Sequence, residues 1–194
     1  MPLAYAAMRR VIGSVPMYFQ VEHLFEAPLE VVEAAMFHPD YPAFLRANHE
    51  VLTSISPQSR EDDGARLHRR IHFAPLPAFE HIGPKKVPAH WFEFIEESVW
   101  DKHQRKLVFD HVPIAEQVRS RLSTHGESVL ERMPDGRTRR RTSAHIQLRN
   151  LPFMLRPFSP MAEQLLSREA KRMIDGEARV FSAWLRLQRP QAQA

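Results

Sequence analysis

The apolar positions of this chain follow two different periods. From Met17 they alternate, with Phe19, Val21, His23 and Phe25 on one side and Tyr18, Gln20 and Glu22 on the other. That is the spacing of a strand with one buried face. From Pro160 to about Leu187 they recur at three and four residue intervals through Met161, Leu165, Leu166, Ala170, Met173, Ile174, Ala178, Phe181, Trp184 and Leu185. This spacing predicts a single amphipathic helix. At about 1.5 Å per residue it is roughly 40 Å long and needs a broad apolar surface to lie on.

The segments between them build such a surface. Ala27-Pro28 ends the first strand, and the proline pre-organises a short helix whose inner stripe is Val32, Ala35 and Met36. His38-Pro39-Asp40-Tyr41-Pro42 breaks that helix, and Ala43 to Ala47 gives one more turn. A strand from His49 to Ser56 carries Val51, Thr53 and Ile55 on one face; Pro57 to Gly64 reads as a polar turn. The next strand, Ala65 to Phe73, carries Leu67, Ile71 and Phe73, and Ala74 to Ala89 is a proline-rich loop. Strands resume at His90 to Trp100, turn at Asp101-Lys102-His103 and return through Lys106 to Val112. On His90 to Trp100, Phe92 and Phe94 share one face and Trp91, Ile95 and Val99 the other, so either set fits an inner wall. A further strand runs from Val118 to Met133 with a bulge expected at Gly126. Pro134-Asp135-Gly136 is a hairpin turn, and the last strand, Arg137 to Arg149, alternates Thr142, Ala144, Ile146 and Leu148 against Arg139, Arg141, His145 and Gln147.

The order is strand, two short helices, six strands, long helix. It predicts an α+β domain over residues 17–188, a curved antiparallel sheet of about seven strands wrapped on the C-terminal helix. Residues 1–16 read as an unassigned leader and 189–194 as a tail. This order, with Ala27-Pro28-Leu29-Glu30-Val31-Val32 and His38-Pro39-Asp40-Tyr41-Pro42 after the first strand, resembles the START-like (SRPBCC) superfamily and its helix-grip fold. Glu97-Ser98-Val99-Trp100-Asp101 and the strands and helix after it look, more loosely, like PRELI-type lipid-transfer domains. The resemblance implies a cavity between sheet and helix that holds a hydrophobic small molecule, most readily a lipid, for carriage or exchange with membranes. Carriage is favoured over chemistry; the alternatives are a cyclase or dehydratase on the same scaffold and a ligand-independent interaction module with a solid core.

Composition narrows the setting. There is no cysteine, so neither disulfides nor thiolate metal sites are available. Arg9 and Arg10 follow the apolar residues of the N-terminal run, the reverse of a signal peptide's order. No stretch approaches the roughly 18 apolar residues of a membrane span. The expected setting is cytoplasmic, with peripheral contact to membranes. A net charge of +4 permits an acidic partner. The densest basic run, Arg137, Arg139, Arg140 and Arg141, has no interleaved aromatics, which argues against nucleic acid and for a solvated strand face. The sequence leaves the oligomeric state open.

Candidate ligand-binding residues follow from the strand faces. Arg69 shares a face with Leu67, Ile71 and Phe73; Arg140 shares one with Thr142, Ala144 and Ile146; His111 alternates with Leu107 and Phe109. An arginine facing a cavity needs an acidic partner or an anionic ligand, and exposure at the rim is the alternative. Gly176, with Met173 nearby, is unusual inside a helix and leaves room either for a ligand or for a close contact. Two segments are too apolar for ordinary loops: Leu76, Phe79 and Ile82 beside Lys85 and Lys86, and Phe153, Met154, Leu155 and Phe158 beside Arg156. Apolar groups next to cations suit transient docking on an anionic membrane, and folding back as caps or a lid is the alternative. No metal site is expected: His68 and His72 are four apart, about 13 Å along a strand. No nucleophile elbow or nucleotide fingerprint exists, so no catalytic residue or cofactor is assigned. Glu93, Glu97, Asp110 and His111 are the acid or base candidates of the enzyme alternative.

Overall fold

A computed structural model describes residues 17–82, 85–150 and 159–188 of the chain. Strand β1 (Met17–Phe25) leads into α1 (Leu29–Met36) and α2 (Tyr41–Asn48). There follow β2 (Leu52–Asp62), β3 (Arg66–Pro75), a two-strand arm of β4 (His81–Ile82) and β5 (Lys85–Lys86), and a short 3-10 turn at Ala89–Phe92. Then come β6 (Phe94–Asp101), β7 (Lys106–Pro113), α3 (Glu116–Arg119), β8 (Leu122–Arg132), β9 (Thr138–Leu148) and α4 (Ser159–Gln188). Seven strands form one antiparallel sheet in the order β1-β9-β8-β7-β6-β3-β2. Helix α4 lies against β1, β9, α1 and α2.

One end of the layer between sheet and helix is solid. Phe25 and Tyr41 meet the Phe181 ring edge-on at 4.9 and 5.2 Å, and Phe44 packs on Trp184 at 5.0 Å. The Trp184 indole donates to the Ala35 carbonyl at 3.1 Å, and the Trp100 indole donates to Glu33 Oε1 at 3.0 Å. Both indoles therefore bury their rings while satisfying their single donors on α1. Burial of each such ring contributes roughly 1.5–3 kcal/mol and fixes α1, α2 and the C-terminal half of α4 as one block.

Several elements differ from the pattern-based expectation. Strand β2 continues through Pro57 to Asp62, where a polar turn was expected. It is an edge strand, so the proline's missing N–H breaks no ladder, and register shifts at Leu52/Ser54 and Pro57/Ser59 absorb the irregularity. The first shift places Leu52 and Ile55, rather than Val51, Thr53 and Ile55 together, against the interior. Residues 89–92 turn before β6 begins at Phe94, and α3 precedes β8. Pairing runs through Gly126 without interruption on both sides, so there is no bulge. On α4, Met161 and Leu165 are 68% and 39% exposed, while Glu163 and Ser167 are buried. At about 100° per residue Leu165 stands opposite Ile174, whereas Glu163 and Ser167 fall on its line; the step from Leu165 to Leu166 had joined two different faces.

Candidate functional site

Beyond the aromatic block the layer opens. A cavity of about 180 Å³ lies between the sheet and the middle of α4. Among the described residues its apolar lining is Met36, Pro42, Leu45, Leu52, Ile55, Ile71, Phe73, Phe94, Leu107, Phe109, Met173 and Ile174. Tyr41, His49, Arg69, Glu96, His111, Ser128, Arg140, Thr142 and Glu177 are the groups in the lining that can hydrogen-bond through their side chains. Of these, Ser128 and Thr142 bond each other at 3.0 Å.

The charged groups form two clusters. In the first, Arg69 and Ser98 are direct cross-strand partners, as are Glu96 and His111, so the pairing register sets their side chains together. Arg69 Nη2 donates to Ser98 Oγ at 3.3 Å and Glu96 Oε1 at 3.5 Å, and His111 Nε2 lies 3.8 Å from Glu96 Oε2. Phe94 covers the His111 ring at 4.4 Å, and Phe37 lies under the Arg69 guanidinium at 4.8 Å. In the second cluster Arg140 on β9 pairs with Glu177 on α4, and the Tyr41 hydroxyl donates to Glu177 Oε1 at 2.6 Å. The Arg140 guanidinium sits 5.1 Å from the Phe25 centroid, at the edge of the solid block.

Burial governs how these groups titrate. It works against the charge on Glu177, but the Arg140 guanidinium and the Tyr41 hydroxyl outweigh it and hold this carboxyl below its usual range. Glu96 behaves likewise: burial opposes its charge, and His111 and Arg69 more than offset that. Tyr41 is pushed well above its ordinary value, first by burial and then by the Glu177 charge, so it stays a neutral donor. Burial lowers Arg69, and on Arg140 burial is overcome by Glu177, whose charge and hydrogen bond raise it; a guanidinium stays charged in both cases.

Solved structures that share this architecture include the following three. TTHA0849 from Thermus thermophilus is 18% identical with a TM-score of 0.59, over 86% of this chain and 98% of that one. The Zhui aromatase/cyclase from a Streptomyces species is 10% identical with a TM-score of 0.62, over 93% of this chain and 99% of that one. The di-domain aromatase/cyclase StfQ of the steffimycin biosynthetic pathway is 9% identical with a TM-score of 0.62, over 90% of this chain and 52% of that one. The chain has the helix-grip fold. At these identities the likeness is one of fold, and no family model or curated protein matches the sequence.

Within the helix-grip frame, Arg69, Ile71, Phe73, Phe109, His111, Arg140 and Met173 come together at the cavity. Rim exposure of the two arginines is not what the structure shows: the Arg69 side chain is 14% exposed and Arg140 6%. The rest of the basic run is neutralised on the outer face, Arg137 by Glu26 and Asp135, Arg139 by Glu131, and Arg141 by Glu22 and Glu131. Ala144 stands apart from the lining, buried opposite Gly126. Tyr41, Glu96 and Glu177 were missed by sequence reasoning. Of the acid or base candidates, Glu97 and Asp110 are exposed and pair with Arg70 and His125, Glu93 bonds His72, and only His111 faces the cavity.

In the apolar arm, Val87 is buried and Phe79 packs edge-on against Phe92 at 5.1 Å, while Leu76 (49%) and Lys86 are exposed. Ile82 and Lys85 pair across β4 and β5, and Phe153, Met154, Leu155 and Phe158 lie outside the described residues.

Gly176 makes room for a side chain of the protein. A Cβ there would stand 2.7 Å from His49 Nε2, which donates to the Met173 carbonyl at 3.1 Å while Nδ1 accepts from the Val51 N–H at 3.3 Å. Gly176→Ala is therefore expected to destabilise by about 1 kcal/mol, because loss of the buried His49 contact outweighs the helix propensity gained. In a His49→Ala background the same change is expected to stabilise by about 1 kcal/mol. Urea midpoints of the four variants in the cycle check the reversal, and an equal sign in both backgrounds refutes it.

Proposed function

We propose that this chain binds a compact, mainly apolar ligand in the cavity beneath α4. The observation that carries the reading is an apolar chamber whose buried charges are already paired within the protein, so that it can stand empty without an isolated ion. Its volume of about 180 Å³ is below the roughly 300–1,000 Å³ of pockets that take drug-sized molecules. A ring system or a short chain fits; a two-chain lipid would require α4 to move outward. Exchange at an anionic membrane would fall to Leu76 and Lys86 of the arm.

The test is titration with N-phenyl-1-naphthylamine, a neutral fluorophore that brightens in apolar surroundings. Saturable one-to-one binding is expected, and Ile71→Trp, which fills the chamber, should weaken it by about tenfold or more. Binding that is absent, or unchanged in that variant, would defeat the proposal.

A cyclase-like enzyme is the second reading. His111 beside Glu96 and Arg69 is an acid–base arrangement inside the chamber, and two proteins of like fold are aromatase/cyclases. His111→Asn would then abolish turnover of a polyketide substrate while leaving its affinity in place.

A further inference from the structure

A second cavity, a groove of about 250 Å³, lies at the surface between α4 and the turn that joins α2 to β2. His49 is the one described residue that lines both the groove and the chamber, so its ring forms the wall between them. The backbone on either side divides in the same way: Val51 and Gly176 line the groove, while Leu52 and Glu177 line the chamber. The ring is lightly held. Nε2 meets the Met173 carbonyl at 3.1 Å and Nδ1 the Val51 N–H at 3.3 Å, and the first is the only hydrogen bond from residues 48–51 to α4 among the described residues. No ion pair among them crosses the groove: Arg172 pairs with Glu169 of its own helix, and Glu50 and Arg179 are exposed. Gly176 passes against the ring because it has no Cβ, which would lie 2.7 Å from Nε2.

We infer that His49 is the movable door of a side entrance to the chamber, between the α2–β2 turn and α4, through which flat apolar molecules enter and leave. This rests on the reading of the chamber as a ligand site. The groove is larger than the chamber and has room for an imidazole. Turning outward, the ring gives up two ordinary hydrogen bonds, which water in the groove replaces. It vacates a slot as thick as one aromatic ring, beside Val51 and Gly176. Meanwhile the contacts of Tyr41 with Phe181 and of Phe44 with Trp184 keep α2 seated on α4. Entry for a flat molecule thus needs the rotation of one side chain, not the displacement of a helix.

Stopped-flow mixing of the full chain with N-phenyl-1-naphthylamine gives the association rate, and dilution of the complex gives the dissociation rate. His49→Ala removes the door and is expected to raise both by about tenfold. Gly176→Ala, whose Cβ displaces the ring, is expected to act in the same direction. The chain has no cysteine, so a single Glu50→Cys at the groove can be capped with a bulky maleimide. That cap is expected to slow both rates by about fivefold or more and leave the dissociation constant in place. The same cap on Ile114→Cys, exposed at the end of β7 and not in the groove lining, is expected to change neither rate. Unchanged rates under the Glu50 cap, or equal slowing by the Ile114 cap, would overturn the entrance and leave the ligand site standing. So would a His49→Ala protein that releases the fluorophore faster but takes it up no faster, which is what a purely structural role predicts. The Glu50 cap decides the matter if neither ring variant folds. A fluorophore that fails to bind the wild-type chain would overturn the ligand site itself, and the entrance with it.

Discussion

Gly126→Ala is expected to destabilise the protein by about 3 kcal/mol, against the usual gain when alanine replaces glycine in a strand. Gly126 lies mid-strand on β8, opposite Phe109 on β7 and Ala144 on β9. A Cβ added there would stand 2.4 and 2.7 Å from Cζ and Cε2 of the Phe109 ring and 2.7 Å from the Ser143 carbonyl oxygen. The ring could swing away only into the chamber it lines, and the carbonyl belongs to the neighbouring strand's backbone and cannot yield without disturbing the ladder. The glycine thus lets Phe109 lie flat on the sheet and keeps the chamber open. Phe109→Ala in the same background should recover part of the loss, since it removes the ring contact and leaves the carbonyl contact. Urea denaturation reads both; a single variant with an unchanged midpoint would refute the close approach.

That glycine shows how far pattern reading reaches. The strands and α4 could be read because a period of two and a period of 3.6 are spelled out over many residues, as on β9 from Thr142 to Leu148. A glycine inside a strand pattern carries the same signature whether it marks a bulge or a ring laid across the backbone; only the partner, Phe109, distinguishes them. The phase of β6 was hidden for a related reason. Trp91 and Phe92 belong to a 3-10 turn, so their apparent alternation was not a strand's. From Phe94 onward the inner set is Phe94, Glu96 and Ser98, and Glu96 falls into place beside His111 across the ladder. Glu177 was passed over because a carboxylate flanking an apolar stripe usually faces water. Its partners come from distant elements, Tyr41 being 136 positions away, and no local pattern encodes such a meeting.

The Arg140–Glu177 pair should carry the other large effect. Arg140→Met removes a side chain that is 6% exposed and leaves the Glu177 carboxylate, itself 21% exposed, with Tyr41 as its remaining hydrogen-bond partner among the described residues. Stranding one member of a buried pair costs about 3–5 kcal/mol, much more than deleting both. Arg140→Met/Glu177→Gln is accordingly expected to regain most of the loss, because a neutral side chain can still accept the Tyr41 hydroxyl and no charge is left unpaired. The pH dependence separates this account from simple loss of packing. In the wild type, Glu177 and Glu96 titrate below the carboxylate value of 4.5, so their contribution is complete above that pH and is lost as pH falls through the depressed folded values. In Arg140→Met the counter-charge is gone and burial dominates, which moves the Glu177 carboxyl above its unfolded value. The native variant then binds the extra proton, so this carboxyl's contribution to stability grows as the pH falls from its raised folded value to 4.5 and is level below that. The gap between variant and wild type should therefore be widest near neutrality and narrow toward acid. A gap that stays constant between neutral and acid denaturation curves would mean that Arg140 supports the fold through packing on Phe25 and Phe181 alone.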